Sequence, residues 1–123
     1  MNPWGTIMIL DSPIWVEDLM RLVKDGYGDM VKFVVDIERE RIAIGGDLHA
    51  DEEAALLESG SRQKDLWGGN YYPGKGPEGC IEYTSLINIR PNMENPGMEL
   101  SIEPARTRMR ELVHRLVGRG QEI

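Results

Sequence analysis

The sequence predicts an α+β fold, with helices packed on one mixed or antiparallel sheet in the order β-α-β-β-α-β-β-α. Three observations lead there. Runs such as VKFVVDI alternate apolar and other residues every second position, which marks strands. Other runs repeat apolar residues three and four apart, which marks helices. The chain has 123 residues, a length that fits one domain, residues 1–123.

Thr6 to Leu10 is a short apolar run and the expected first strand. Ser12-Pro13 reads as a helix start, since serine accepts a backbone N–H and proline has none to lose. Trp15, Val16, Leu19, Met20 and Val23 recur at helical spacing, and Gly26 and Gly28 end the run. In Val31 to Ile37, residues 31, 33, 35 and 37 form an apolar face, with Lys32 and Asp36 on the other. Glu38 to Arg41 is a charged tip and Ile42-Ala43-Ile44 returns, a β-hairpin. After Gly45-Gly46 a helix is expected from Ala50 to Ser59, with Ala50, Ala54 and Leu57 on one face. Asp51, Glu52 and Glu53 lie at its positive end. Leu66 to Tyr72 reads as a strand in which Gly68-Gly69 marks a bulge or a close approach. Pro73 to Gly79 is a loop. Cys80 to Arg90 reads as the clearest strand, stopped by Pro91. Asn92 to Ile102 is irregular. The last helix starts near Glu103-Pro104 and carries Met109, Leu112, Val113, Leu116 and Val117 on one stripe. A ferredoxin-like core with an added strand and helix is one arrangement of this order.

Composition narrows the function classes. The single cysteine, Cys80, allows no internal disulfide, so a secreted disulfide framework is not expected. No apolar run reaches membrane-spanning length, and Met1 to Leu10 lacks the basic start of a signal peptide. A cytoplasmic location is the resulting expectation. The net charge is −7, which argues against a nucleic-acid partner. That charge is uneven: residues 1–103 carry 9 basic and 19 acidic groups, whereas 104–123 carry 5 basic and 2 acidic. The arginine helix either packs on its own acidic body or docks an acidic partner through residues 104–119.

The densest polar stretch is Gly45-Gly46-Asp47-Leu48-His49-Ala50-Asp51. A glycine pair before a helix offers free N–H groups to phosphates. Asp47, Asp51, Glu52 and Glu53 would repel such an anion, and the phosphate-loop lysine is absent. Asp47, His49 and Asp51 are candidate metal ligands if the backbone is extended, and His49 with Asp47 is a candidate acid/base pair. The plainer expectation is that Asp47 or His49 caps the helix. A second candidate is an anion clamp of Asn88, Arg90 and Arg106, set against ordinary salt bridges to Glu82, Asp36 or Glu103. A third is an aromatic surface of Trp67, Asn70, Tyr71 and Tyr72, which core packing would also explain. Gly45, Gly46, Gln63, Trp67, Asn70, Asn88, Arg90 and Arg106 are thus the candidate ligand-binding residues. No cofactor is implied.

The signatures VVDIE at Val34–Glu38, GGDLHAD at Gly45–Asp51, Gly60-Ser61 with Gln63, Leu66-Trp67-Gly68, Tyr72-Pro73 and INIRP at Ile87–Pro91 resemble a prokaryotic family of small proteins of unknown function. The resemblance runs from Asp29 to Pro91. That family carries a polar Ser/Gly/Asn/Arg-rich stretch after the last motif, whereas NMENPGMELS here has no arginine. The resemblance implies a small cytosolic protein and supplies no activity. Together these readings favour a non-enzymatic ligand- or protein-binding domain, possible as a homodimer. The alternative is a small enzyme using Asp47 and His49, with Arg90 holding an anionic substrate.

Overall fold

The computed structural model describes residues 6–123; the stretch before Thr6, and with it half of the signal-peptide reading, lies outside them. The elements are β1 (Met8–Leu10), α1 (Val16–Asp25), β2 (Val31–Asp36), β3 (Arg41–Ile44), α2 (His49–Glu58), β4 (Leu66–Tyr71), α3 (Gly76–Gly79), β5 (Ile81–Glu82) and α4 (Glu103–Leu116). The α+β expectation holds: five strands form one antiparallel sheet in the order β1-β3-β2-β4-β5. The ferredoxin-like arrangement does not, because β4 pairs with β2 rather than joining the β1 edge. Among the described residues no helix is long and apolar enough to cross a membrane.

The alternation in β2 divides the molecule into two layers. Val31, Phe33 and Val35 pack with Ile42, Ile44, Trp67 and Tyr71 under α1 and α4, whose Leu19, Leu22, Met109, Leu112 and Val113 complete the larger core. The opposite face carries Val34, Ala43 and Leu66 under Ala55 and Leu56 of α2. Asp36, also on this face, is fully buried and accepts hydrogen bonds from the backbone N–H groups of Glu38 and Arg39 and from the Ser61 hydroxyl. It thereby shapes the hairpin turn. α4 closes the fold, since the Leu116 carbonyl accepts the Ile14 N–H.

Four local expectations are corrected. α1 begins at Val16, after Trp15, so Ser12-Pro13 precedes the helix instead of capping it. Its buried residues are Leu19, Leu22 and Val23, leaving Trp15, Val16 and Met20 exposed. α2 buries His49, Glu52, Ala55 and Leu56, not Ala50, Ala54 and Leu57. The segment Cys80 to Arg90 is a strand only at Ile81–Glu82. Beyond it the Ser85 hydroxyl accepts the Ile87 N–H and starts a 3-10 turn at Leu86–Asn88. A local hydroxyl bond thus outcompetes the ladder that the alternation suggests.

Candidate functional site: a cleft at the start of the second helix

β3 ends at Ile44 and is followed by Gly45, whose φ of 97° favours glycine. A side chain there would also sit 3.0 Å from the Thr6 carbonyl oxygen. At Gly46 a Cβ would lie 2.9 Å from Glu52 Cγ. Gly46 therefore lets the backbone press against Glu52, which is fully buried. Glu52 Oε2 accepts the Gly46 N–H at 2.9 Å, and Oε1 has no hydrogen-bond partner among the described residues. Burial pushes the Glu52 carboxyl well above the usual carboxylate range, and the Gly46 N–H and nearby Lys32 offset only part of this.

His49 is the first residue of α2. Leu48 precedes it at the cap position and makes no side-chain cap bond, so neither Asp47 nor His49 caps the helix. Asp47 is exposed, and its backbone carbonyl accepts the Tyr27 hydroxyl at 2.5 Å. The His49 ring turns inward instead and Nε2 donates to the Gly69 carbonyl at 2.8 Å. It lies against Gly68, where a Cβ would be 3.3 Å from His49 Cδ2. Burial lowers the His49 pKa, the Gly69 carbonyl opposes this, and Lys32 adds to the lowering. Beside it, Lys32, Asn70 and Glu82 are neighbours across β2, β4 and β5. Asn70 Nδ2 donates to Glu82 Oε1 at 2.7 Å, while the buried Asn70 Oδ1 meets no hydrogen-bond partner of good geometry among the described residues.

The Gly45–Asp47 turn forms one wall of a cleft of about 630 Å³. Arg21 and Asp25 of α1, Tyr27 and Lys32, and Asp51 of α2 bring charge of both signs to it. Lys32 Nζ lies 5.2 Å from the Tyr27 ring centroid, within cation–π range. Asp47 and Asp51 face this cleft, but His49 does not line it. The metal trio does not converge: no group of three or more His, Cys, Asp or Glu side chains suited to a metal occurs among the described residues.

The anion clamp is dispersed. Asn88 is fully buried and its amide is spent on Gly68, accepting the N–H at 2.9 Å and donating to the carbonyl at 3.0 Å, with Met98 as a further acceptor. Arg90 donates to the carbonyls of Ile87 and Gln63 and to Glu53, and stacks 4.5 Å above Trp67. Its salt-bridge partner is therefore Glu53, not Glu82 or Asp36. Trp67 is core, whereas Gln63 and Arg90 border a separate cleft of about 460 Å³ that shares no lining residue with the first. Arg106 is elsewhere again, donating to the Leu100 carbonyl, near Glu99 and over the Tyr83 ring. Asp47 and Arg90 thus border different clefts.

The other arginines of α4 turn mostly to the chain's own surface. Arg108 reaches the Ile37 carbonyl and Glu40, Arg115 reaches Glu40, and Arg110 reaches the Tyr83 hydroxyl. Arg115 and Arg108 hold the Glu40 carboxyl below the usual range. Cys80 Sγ lies 4.0 Å from His114 Nε2, but the thiol is buried, its pKa is pushed up by that burial, and the same nitrogen donates to the Pro77 carbonyl.

Arg21, Asp25, Tyr27, Lys32 and Glu52 were not among the sequence candidates. The only signals for them are Lys32 on the polar side of a strong strand and an acid at a helix position that periodicity assigns to neither face. The irregular stretch after the INIRP motif is wired by Asn95, which donates to the carbonyls of Asn88, Gly97 and Glu99 and accepts from Ser101. It serves as a structural clasp without the missing arginine.

No curated protein and no solved structure matches the chain. A family model does match, over a longer span than the Asp29–Pro91 resemblance. The chain belongs to the family described as protein of unknown function DUF5674, whose model matches residues 8–116.

Proposed function

We propose that the protein is a non-catalytic binding domain for a small polar molecule, held in the cleft between the Gly45–Asp51 junction and the Tyr27–Lys32 segment. One observation carries this reading: Glu52, a fully buried acid, stands directly behind the Gly46 wall of a cleft that gathers charges of both signs. A buried carboxyl is costly, and such groups concentrate at functional sites. The cleft volume of about 630 Å³ is typical of small-ligand pockets. Lys32 and Arg21 offer cationic anchors, Asp25, Asp47 and Asp51 anionic ones, which suits a ligand bearing both charges. Catalysis is disfavoured because the one histidine nearby is bound to a strand carbonyl and has lost basicity.

The test is a thermal-shift screen of amino acids, polyamines and small carboxylates against the full chain. A ligand at a hundred times its Kd stabilises by about 2.7 kcal/mol. The expected result is a shift with at least one class that disappears in Lys32→Ala and Asp47→Ala. A shift that survives both variants, or none in any class, overturns the assignment.

A further inference from the structure

α1 leaves an apolar face uncovered. Trp15 is 76 % exposed, Val16 47 % and Met20 46 %, although all three belong to the apolar residues that recur at helical spacing. Val16, Met20 and Lys24 follow one another every four residues and so form a single ridge. Met20, Lys24 and Ile123 also border a groove of about 850 Å³ beside that ridge, able to receive an apposed side chain. Exposed apolar residues gathered this way mark interaction surfaces.

The charges beside the ridge say what fits it. Glu17 lies in the first turn of α1 and Lys24 in the last. They are separated by two turns, about 10.5 Å along the axis, and lie on one side of the helix. Neither has an ion-pair partner among the described residues, whereas Asp18 and Arg21 pair with each other. On that side the helix is therefore acidic at one end and basic at the other, with Met20 between, while Asp25 lies about 100° further round. An identical helix running the opposite way is its natural complement.

We propose that this face of α1 binds a second copy of the chain, antiparallel about a two-fold axis through Met20. Met20 meets its equivalent, Val16 packs along the partner ridge, and Glu17 faces Lys24 of the second copy in two symmetric pairs. Such an isologous contact needs only one self-complementary patch. It is independent of the cleft reading, since neither Lys32 nor Asp47 takes part.

Sedimentation equilibrium of the full chain, loaded from about 1 to about 100 µM to bracket modest affinities, tests this. The wild type is expected to be dimeric at the upper end, and Met20→Glu monomeric throughout. Glu17→Lys is expected to weaken association about tenfold, the scale of two exposed ion pairs turned repulsive. Adding Lys24→Glu to that variant restores it. A monomeric wild type, a dimer unaffected by Met20→Glu, or a double variant as weak as Glu17→Lys overturns the proposal. The positions are exposed, and the charge swap reads the interface even if Met20→Glu proves poorly folded.

Discussion

Glu52→Gln isolates the buried acid. The amide keeps an oxygen for the Gly46 N–H but cannot ionise. Burial raises the Glu52 pKa in the folded protein, so between the ordinary carboxylate range and that raised value the folded state holds a proton that the unfolded state has released. Stability associated with Glu52 is then complete below the ordinary range and falls as pH rises. The slope is at most about 1.4 kcal/mol per pH unit, so moving from pH 5 to pH 7 removes up to about 2.7 kcal/mol. His49 acts in the opposite sense, because its lowered pKa makes the folded state bind fewer protons. That contribution is common to both proteins and cancels in their difference. Urea denaturation at pH 5, 6, 7 and 8 measures it. The wild type is expected to lose stability relative to Glu52→Gln as pH rises from 5, until the raised pKa is passed. Parallel curves for the two proteins would refute the reasoning.

Three further outcomes follow from particular contacts. Asn88→Ala removes three hydrogen bonds and strands the buried N–H and C=O of Gly68, for a loss of about 2–4 kcal/mol in urea unfolding. Gly69→Ala places a Cβ 2.6 Å from Phe33 Cζ and 2.8 Å from the Glu82 carbonyl oxygen, so destabilisation of about 1–3 kcal/mol is expected by the same assay. His49→Gln removes a group whose lowered pKa makes the folded state lose stability as pH falls below the ordinary histidine range; its acid limb is expected to be shallower than the wild type's between pH 7 and pH 5.

The layout of strands and long helices was legible because it rests on periodicity. β2 alternates over six residues and α4 holds its stripe over four turns, and both lie where the pattern put them. The Cys80–Arg90 segment misled because its alternation is real while its bonds are not a strand's: Ser85 and Asn88 supply side-chain partners in place of a ladder. α2 misled because its buried face includes His49 and Glu52, polar residues that no apolar pattern selects. For the site, the Gly45–Asp51 junction was visible as a dense polar turn. Its opposing wall was not, since Arg21, Asp25, Tyr27 and Lys32 come from elements that only the sheet order brings beside it. Arg90 and Asn88 looked free in one dimension and are fully engaged in three.

The Asn88 amide carries one more consequence. A side-chain amide has the donor and acceptor of a peptide, and here it answers both outward groups of Gly68 as a sixth strand would. Beyond two-residue β5, the rim of β4 is therefore closed without any strand being present. Exposed rims recruit strands from other molecules and seed aggregation. By plugging this one with a side chain, the fold gains that protection while the backbone of Thr84 to Glu99 stays free to follow its own irregular course. Loss of the amide would then show as precipitation during refolding, alongside the loss of stability in the folded monomer.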